Sequence, residues 1–244
     1  MVDVDDVAWK KLHGDVFRTP EFPNIYGCMI GIGVQAFLGI YSMLIFTTLF
    51  FSNYKLRAYV FFLSIIAQAV FGWVNGFITA RILKFFGSVD WCFSAFISAV
   101  MFPTWFVATC GFIDIIEWSV GSSSMIPFSR FFVYTIGWLA ICIPLCFLGA
   151  YLGFKLTQVR KVCKVNPVRR NIPAQPSFLS LHIIVPTFGA VIFLTICAEF
   201  RYVWESIWSQ WMYAMFGFLL INFLLMAVVI SLLAIVQIYL QLSY

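Results

Sequence analysis

Few residues in this sequence could carry chemistry, and the clearest candidates are two carboxylates in an apolar stretch. Asp114 and Glu117 stand three positions apart, so a helix would place both on one face. A carboxylate at the centre of a bilayer costs about 2.5–3.5 kcal/mol on insertion scales, so an intramembrane pair would be a candidate proton or cation site. Trp118 follows directly and is typical of a membrane interface, which favours the alternative that both carboxylates reach water.

Glycines spaced four residues apart form the second group of candidates. Glycine at i and i+4 leaves a flat helix face on which another helix can approach closely. Such a face can serve packing within the protein, or it can be a groove that receives a client's membrane helix. Gly72/Gly76 is the best candidate for such a groove, because Asn75 adds an amide beside it. The three pairs in apolar stretches are Gly27/Gly31, Gly72/Gly76 and Gly149/Gly153.

The sequence gives no positive case for an enzyme, a cofactor or a metal site. The two histidines, His13 and His182, are far apart, and no zinc-protease, hydrolase-elbow or nucleotide-loop motif occurs. Seven cysteines are present without C-x-x-C spacing. Six lie in apolar runs and are expected to be small buried hydrophobic residues. Cys163 lies in a basic loop, where it is expected to be a reduced thiol, with palmitoylation as the alternative.

The elements that must position these residues are membrane helices. Of 244 residues, 63% are hydrophobic and only 10% are charged, whereas soluble domains carry about 25% charged residues. We therefore predict an all-α, polytopic integral membrane bundle of about six transmembrane helices, solvated by lipid. The predicted spans are 25–51, 56–83, 92–118, 131–154, 181–200 and 212–238, which form a transmembrane bundle over 25–244.

Prolines occur within three of the predicted spans, at Pro103, Pro144 and Pro186. Each is expected to kink its helix, because proline removes a backbone donor and clashes with the preceding turn. Kinks are ordinary packing devices in membrane helices, and that interpretation is favoured here. Broken helices can also line transport sites, which keeps a transport alternative open.

The basic residues predict the orientation. Eleven of the fifteen fall on one side of the six spans, and the positive-inside rule places that side in the cytosol. The N-terminal segment 1–24 and the loop 155–180 are then cytosolic, whereas loops 119–130 and 201–211 are lumenal or exterior. The net charge of +5 thus reflects membrane topology and not nucleic-acid binding. The eleven are Lys10, Lys11, Arg18, Arg81, Lys84, Lys155, Arg160, Lys161, Lys164, Arg169 and Arg170.

Several ordered segments resemble the transmembrane 9 superfamily, also known as nonaspanins or the endomembrane protein 70 family. They are W-K-K-L-H-G-D-V-F-R at 9–18, G-S-S-S-M-I-P-F at 121–128, G-A-Y-L-G-F-K at 149–155, N-P-V-R-R-N-I-P at 166–173 and I-W-S-Q-W-M-Y-A-M-F-G-F at 207–218. The first departs from the family pattern by one residue in register, at Lys11. The matches extend over nearly the whole chain.

The resemblance implies that this chain is a fragment covering roughly family spans two to seven. Relative to the family it would lack the signal peptide, the lumenal domain, the first span, the eighth and ninth spans and the C-terminal cytosolic sorting signal. Either a fragmentary gene model or a truncated paralogue would give such a chain. The resemblance also implies Golgi and endosomal membranes, roles in adhesion and phagocytosis, and partners among other membrane proteins, including those with glycine-rich spans.

The sequence and the resemblance together predict a non-enzymatic multispanning endomembrane protein that helps localise other membrane proteins through helix–helix recognition. Its expected partners are the lipid bilayer and other membrane proteins, with no nucleic acid. One alternative is a small-solute or ion transporter that uses Asp114, Glu117 and the kinked spans. A second alternative is a truncated paralogue without function.

Overall fold

The computed structural model of the chain describes residues 14, 17–50, 57–88, 90–121, 127–157, 163, 165 and 177–243. Over these residues the regular structure is entirely helical. A short 3-10 turn at Ser177–Leu179 precedes the sixth α-helix. The α-helices are α1 Pro23–Phe50, α2 Arg57–Val70, α3 Gly72–Phe86, α4 Trp91–Val120, α5 Phe128–Lys155, α6 Leu181–Trp208 and α7 Met212–Ser243.

The predicted all-α membrane fold is confirmed. Six helical segments are long and apolar enough to cross a membrane, with α2 and α3 together supplying the second. A helix satisfies its backbone hydrogen bonds internally, so long apolar sequences take this form in hydrocarbon, where water cannot pair with N–H and C=O groups. The chain is therefore an integral membrane protein.

The second span is interrupted, which the sequence analysis did not predict. Helix α2 ends at Val70, Phe71 lies between the helices, and α3 begins at Gly72. Phe71 still makes helical backbone hydrogen bonds to both sides. Its N–H donates to the Ala67 carbonyl at 2.9 Å, and its carbonyl accepts from the Asn75 N–H at 3.1 Å. The interruption is therefore local, because these two helical hydrogen bonds bridge Phe71.

Glycines in the left-handed conformation end two of the helices. Gly87 follows α3 with φ +81°, and Gly121 follows α4 with φ +67°. In both places the glycine N–H donates to carbonyls of the last helical turn. A side chain would be strained at these φ values, which explains why glycine stands at each helix end.

The loop predicted at 201–211 is wrong over most of its length, because α6 continues to Trp208. Arg201 and Glu205 lie in this last part of the helix. Charged residues end the apolar run, but they do not end a helix, which can continue into the headgroup region. The predicted cytosolic segments 1–24 and 155–180 lie largely outside the described residues.

The prolines do not end the helices that contain them. Helix α4 continues through Pro103, α5 through Pro144 and α6 through Pro186. The kinks expected there stay predictions.

The chain divides into two compact units. The four-span unit comprises Thr19–Ser42 and Phe61–Arg160, and so contains most of α1 to α5. The hairpin unit comprises Met1–Arg18, Met43–Val60 and Lys161–Tyr244. Within the hairpin unit α6 and α7 pack together, and the rings of Tyr202 and Phe218 stack at 5.4 Å.

Candidate functional site

Helices α3 and α5 of the four-span unit cross backbone to backbone at two glycines. A Cβ added to Gly76 would overlap the Cys146 carbonyl oxygen and lie 3.0 Å from the Ala150 nitrogen. A Cβ added to Gly149 would overlap the Trp73 carbonyl oxygen and lie 3.0 Å from the Phe77 nitrogen. Ordinary carbon contacts are about 3.5–4.0 Å, so only glycine fits on either side of this crossing.

The other glycine of each pair extends the same contact. A Cβ on Gly72 would lie 2.9 Å from the Cys142 sulfur. A Cβ on Gly153 would lie 2.6 Å from the Phe77 carbonyl oxygen and 3.2 Å from the Ala80 Cβ. The pairs Gly72/Gly76 and Gly149/Gly153 therefore pack together, one on each helix.

The third pair brings α1 against the same helix. A Cβ on Gly31 would overlap Thr79 Oγ1 and Asn75 Oδ1, and a Cβ on Gly27 would lie 3.3 Å from the Leu83 side chain. All three pairs thus converge on α3. Their flat faces are occupied by helices of this chain, so these contacts favour the packing interpretation and leave no open client groove at the six glycines.

A buried polar network, centred on Asn75, lies beside the glycine crossings. Asn75 Nδ2 donates to Gln35 Oε1 at 2.9 Å and to the Ser98 carbonyl at 3.2 Å. Thr79 Oγ1 donates to Asn75 Oδ1 at 3.2 Å. Asn75 and Gln35 are each 0% exposed. The amide that was predicted to stand beside a client groove therefore joins α1, α3 and α4 within the bundle.

Gln35 also pairs with the interrupted second span. Its Nε2 donates to the Gln68 carbonyl at 3.0 Å, three residues before the interruption at Phe71. An unpaired carbonyl in hydrocarbon costs several kcal/mol, so a side-chain donor from another helix stabilises the interruption. The Gln68 side chain lies against Gly39, and its Oε1 is buried without a hydrogen-bond partner among the described residues.

The two carboxylates lie apart from this network. Asp114 is 7% exposed and Glu117 is half-buried, both on α4. Asp114 precedes the end of α4 at Val120 by six residues, about 9 Å along the axis. Ser98, which contacts Asn75, precedes Asp114 by sixteen residues, about 24 Å. The structure therefore does not bring the carboxylates to the glycine crossings.

Comparisons with known proteins decide the family. The family model described as endomembrane protein 70 matches residues 2–244. The chain belongs to the endomembrane protein 70 family. The resemblance to the transmembrane 9 superfamily is thereby confirmed. No solved structure matches the chain.

Similar endomembrane protein 70 relatives occur in plants and animals. The chain is 29% identical to transmembrane 9 superfamily member 10 of Arabidopsis thaliana over 98% of its own length and 38% of the relative's. It is 30% identical to member 2 of Homo sapiens over 93% of its length and 34% of the relative's. It is 27% identical to member 4 of Homo sapiens over 98% of its own length and 37% of the relative's. The chain thus spans a little over a third of these relatives.

Three cysteine thiols of this endomembrane protein 70 chain pack against α4. Cys28 Sγ donates to the Ser94 carbonyl at 3.2 Å, and Cys146 Sγ donates to the Ala95 carbonyl at 3.5 Å. Cys142 Sγ lies 4.0 Å from the Ala99 carbonyl. Within the described part of the chain, no group of three His, Cys, Asp or Glu residues could hold a metal ion. Cys28, Cys142 and Cys146 are buried as expected, whereas Cys92 and Cys197 are exposed.

Sequence reasoning missed Gln35 and Gln68 as members of the network. A signal was available, because Gln35 is an amide inside an apolar helix that contains no charged residue. A lone polar group in hydrocarbon needs a partner, so its position alone predicts a contact with another helix. Which helix supplies the partner depends on the tertiary packing.

Proposed function

We propose that the protein is a non-enzymatic component of Golgi and endosomal membranes that helps localise other membrane proteins by contacting their transmembrane helices. Membership in the endomembrane protein 70 family supports the proposal. The observation that carries it is the neutral packed interior of the four-span unit. The Asn75 amide pairs with Gln35 on α1 and with the Ser98 carbonyl on α4, and Asp114 lies about 24 Å from Ser98 along α4. Such an interior suits a scaffold better than an ion pathway.

Client helices would then contact the lipid-facing surface. Gly33, Gly137 and Gly189 are exposed, and a Cβ added to any of them would meet no atom of the described residues within 4 Å beyond its own helical surroundings. Close helix approach in lipid depends on small residues, because two helices gain little from hiding apolar surface that lipid already solvates. These open glycines replace the three occupied pairs as the places where a glycine-rich client helix can approach.

Leucine substitutions at the open glycines test the proposal. We expect Gly33→Leu, Gly137→Leu or Gly189→Leu, or the three combined, to lower the co-purification of a single-span reporter with a glycine-rich helix. The matched control is Ala198→Leu, which adds the same bulk to another exposed position of α6. Ala198 is nine residues from Gly189, and therefore about 180° around the helix. Wild-type recovery of the reporter by the triple variant would contradict the proposal.

A further inference from the structure

One end of the four-span unit carries three cationic side chains. Arg81 and Lys84 lie in the last turns of α3, and Lys155 is the last residue of α5. Asp90 precedes α4 at the same end, but among the described residues no carboxylate forms an ion pair with any of the three cations. The sequence also contains no acidic residue between Lys155 and Glu199. None of the three cations is therefore paired with a described carboxylate.

Two of the cations are held in place by the end of α5. Lys84 Nζ donates to the Phe154 carbonyl at 2.6 Å and also to the Leu156 carbonyl. Arg81 Nη1 donates to the Thr157 carbonyl. The last carbonyls of a helix have no partner within the helix, so these bonds cap α5.

Capping does not use all the donors. An ammonium group has three N–H donors and a guanidinium group has five. Lys84 makes two bonds and Arg81 makes one, so both keep donors for a further acceptor. Lys155 donates to no carbonyl among the described residues, and its ammonium lies 5.9 Å from the centre of the Tyr151 ring. Helix capping thus accounts for only part of this cluster.

The cluster is bordered by aromatic rings of the kind found at the depth of lipid headgroups. Trp91, the first residue of α4, stacks on Phe154 at 5.6 Å, and Lys84 lies 5.2 Å from the same ring. The rings of Tyr26 and Phe86 meet at 6.0 Å, near the start of α1 and at the end of α3. Trp and Tyr rings are typical of the membrane–water interface, where phospholipid phosphates lie.

We propose that Arg81, Lys84 and Lys155 form a binding site for the headgroup of an anionic phospholipid. The lipid supplies an anion to cations that pair with no described carboxylate, and its phosphate oxygens accept hydrogen bonds from the remaining guanidinium and ammonium N–H groups. The acyl chains of the same lipid lie along the apolar sides of α3 and α5. A free phosphate ion offers the charge without the chains, so it binds this site more weakly than a phospholipid.

The test uses the full chain, purified in a neutral detergent. Dioctanoyl phosphatidylserine is the probe, and dioctanoyl phosphatidylcholine and inorganic phosphate are the comparison ligands, with binding followed by native mass spectrometry and calorimetry. Each cation near an anionic headgroup contributes about fivefold in affinity. We therefore expect Lys155→Gln to raise the Kd for phosphatidylserine about fivefold and Arg81→Gln with Lys155→Gln about 25-fold. Arg130→Gln removes a charge in the first turn of the same helix, α5, and should leave the Kd unchanged.

The variants separate lipid binding from helix capping. Lys155 caps nothing among the described residues, so Lys155→Gln is decisive even if Arg81→Gln unfolds the end of α5. Arg81→Lys keeps the charge and should retain most of the affinity. The proposal is overturned if phosphatidylcholine or inorganic phosphate binds as tightly as phosphatidylserine, or if Lys155→Gln binds phosphatidylserine as the wild type does.

Discussion

Gly76→Ala should destabilise the four-span unit, although alanine is the better helix former. Alanine gains about 0.8–1.0 kcal/mol over glycine in an unhindered helix. At Gly76, however, the added Cβ would overlap the Cys146 carbonyl oxygen and lie 2.8 Å from its carbonyl carbon. These are backbone atoms, so the contact is relieved only if α3 and α5 move apart. Overpacking of this kind costs about 1–3 kcal/mol or more.

The expected net effect is a loss of up to about 2 kcal/mol in the free energy of unfolding, which is the overpacking cost less the gain in helix propensity. Gly137→Ala is the matched control on α5, since a Cβ there meets nothing within 4 Å in the part of the chain that the structure describes. That variant should be neutral or more stable by up to about 1 kcal/mol. Equilibrium unfolding in mixed micelles of neutral detergent and sodium dodecyl sulfate measures both. Equal effects of the two substitutions would refute the close crossing.

The reciprocal glycine makes the test sharper. Gly149→Ala places a Cβ against the Trp73 carbonyl on the other side of the same crossing. Once one alanine has separated the helices, the second finds more room, so the double variant should lose less than the sum of the two single losses. Non-additive effects are expected between contacting residues and are typically about 0.5–3 kcal/mol. Strict additivity would mean that the two glycines do not share one contact.

Two further predictions concern the carboxylates and the orientation. Asp114→Asn with Glu117→Gln should leave membrane insertion and export from the endoplasmic reticulum intact, because both side chains lie in the last turns of α4. If the double variant instead loses a proton or cation flux in reconstituted vesicles, the protein is a transporter. A glycosylation acceptor engineered within 119–128 should be modified, and one within 160–176 should not. The basic residues predict that only the first of these loops is lumenal. The reverse pattern of modification would overturn the predicted orientation.

The six membrane helices could be predicted because the signal for each is local. An apolar run long enough to cross the bilayer must be helical whatever its neighbours are. The end of α6 could not be predicted in this way, because Arg201 marks where the apolar run stops and not where the helix stops. The run of hydrophobic residues sets the depth of the span, whereas capping residues and turns set the end of the helix.

The contacts of the glycines were only half predictable. The spacing of Gly72 and Gly76 indicates a flat face, but it does not indicate which helix fills that face. In the structure a helix of the same chain fills it, and Gly149 lies opposite. The contact near the interruption at Phe71 could not be predicted for the same reason, because the donor to the Gln68 carbonyl is Gln35 on another helix. Tertiary partners of this kind leave no periodic pattern in the sequence.

The glycine crossings and the polar network depend on each other. The bonds of Asn75 to Gln35 and to Ser98 are 2.9 and 3.2 Å long. Hydrogen bonds of this kind weaken beyond about 3.2 Å, so a separation of α3 from its neighbours by about 1 Å would lose them. Such bonds average about 0.6 kcal/mol in membrane proteins, which is small individually, but they are directional where packing is not. Close packing at glycine therefore brings the helices within bonding distance, and the neutral amides then fix their rotation without placing a charge in the membrane.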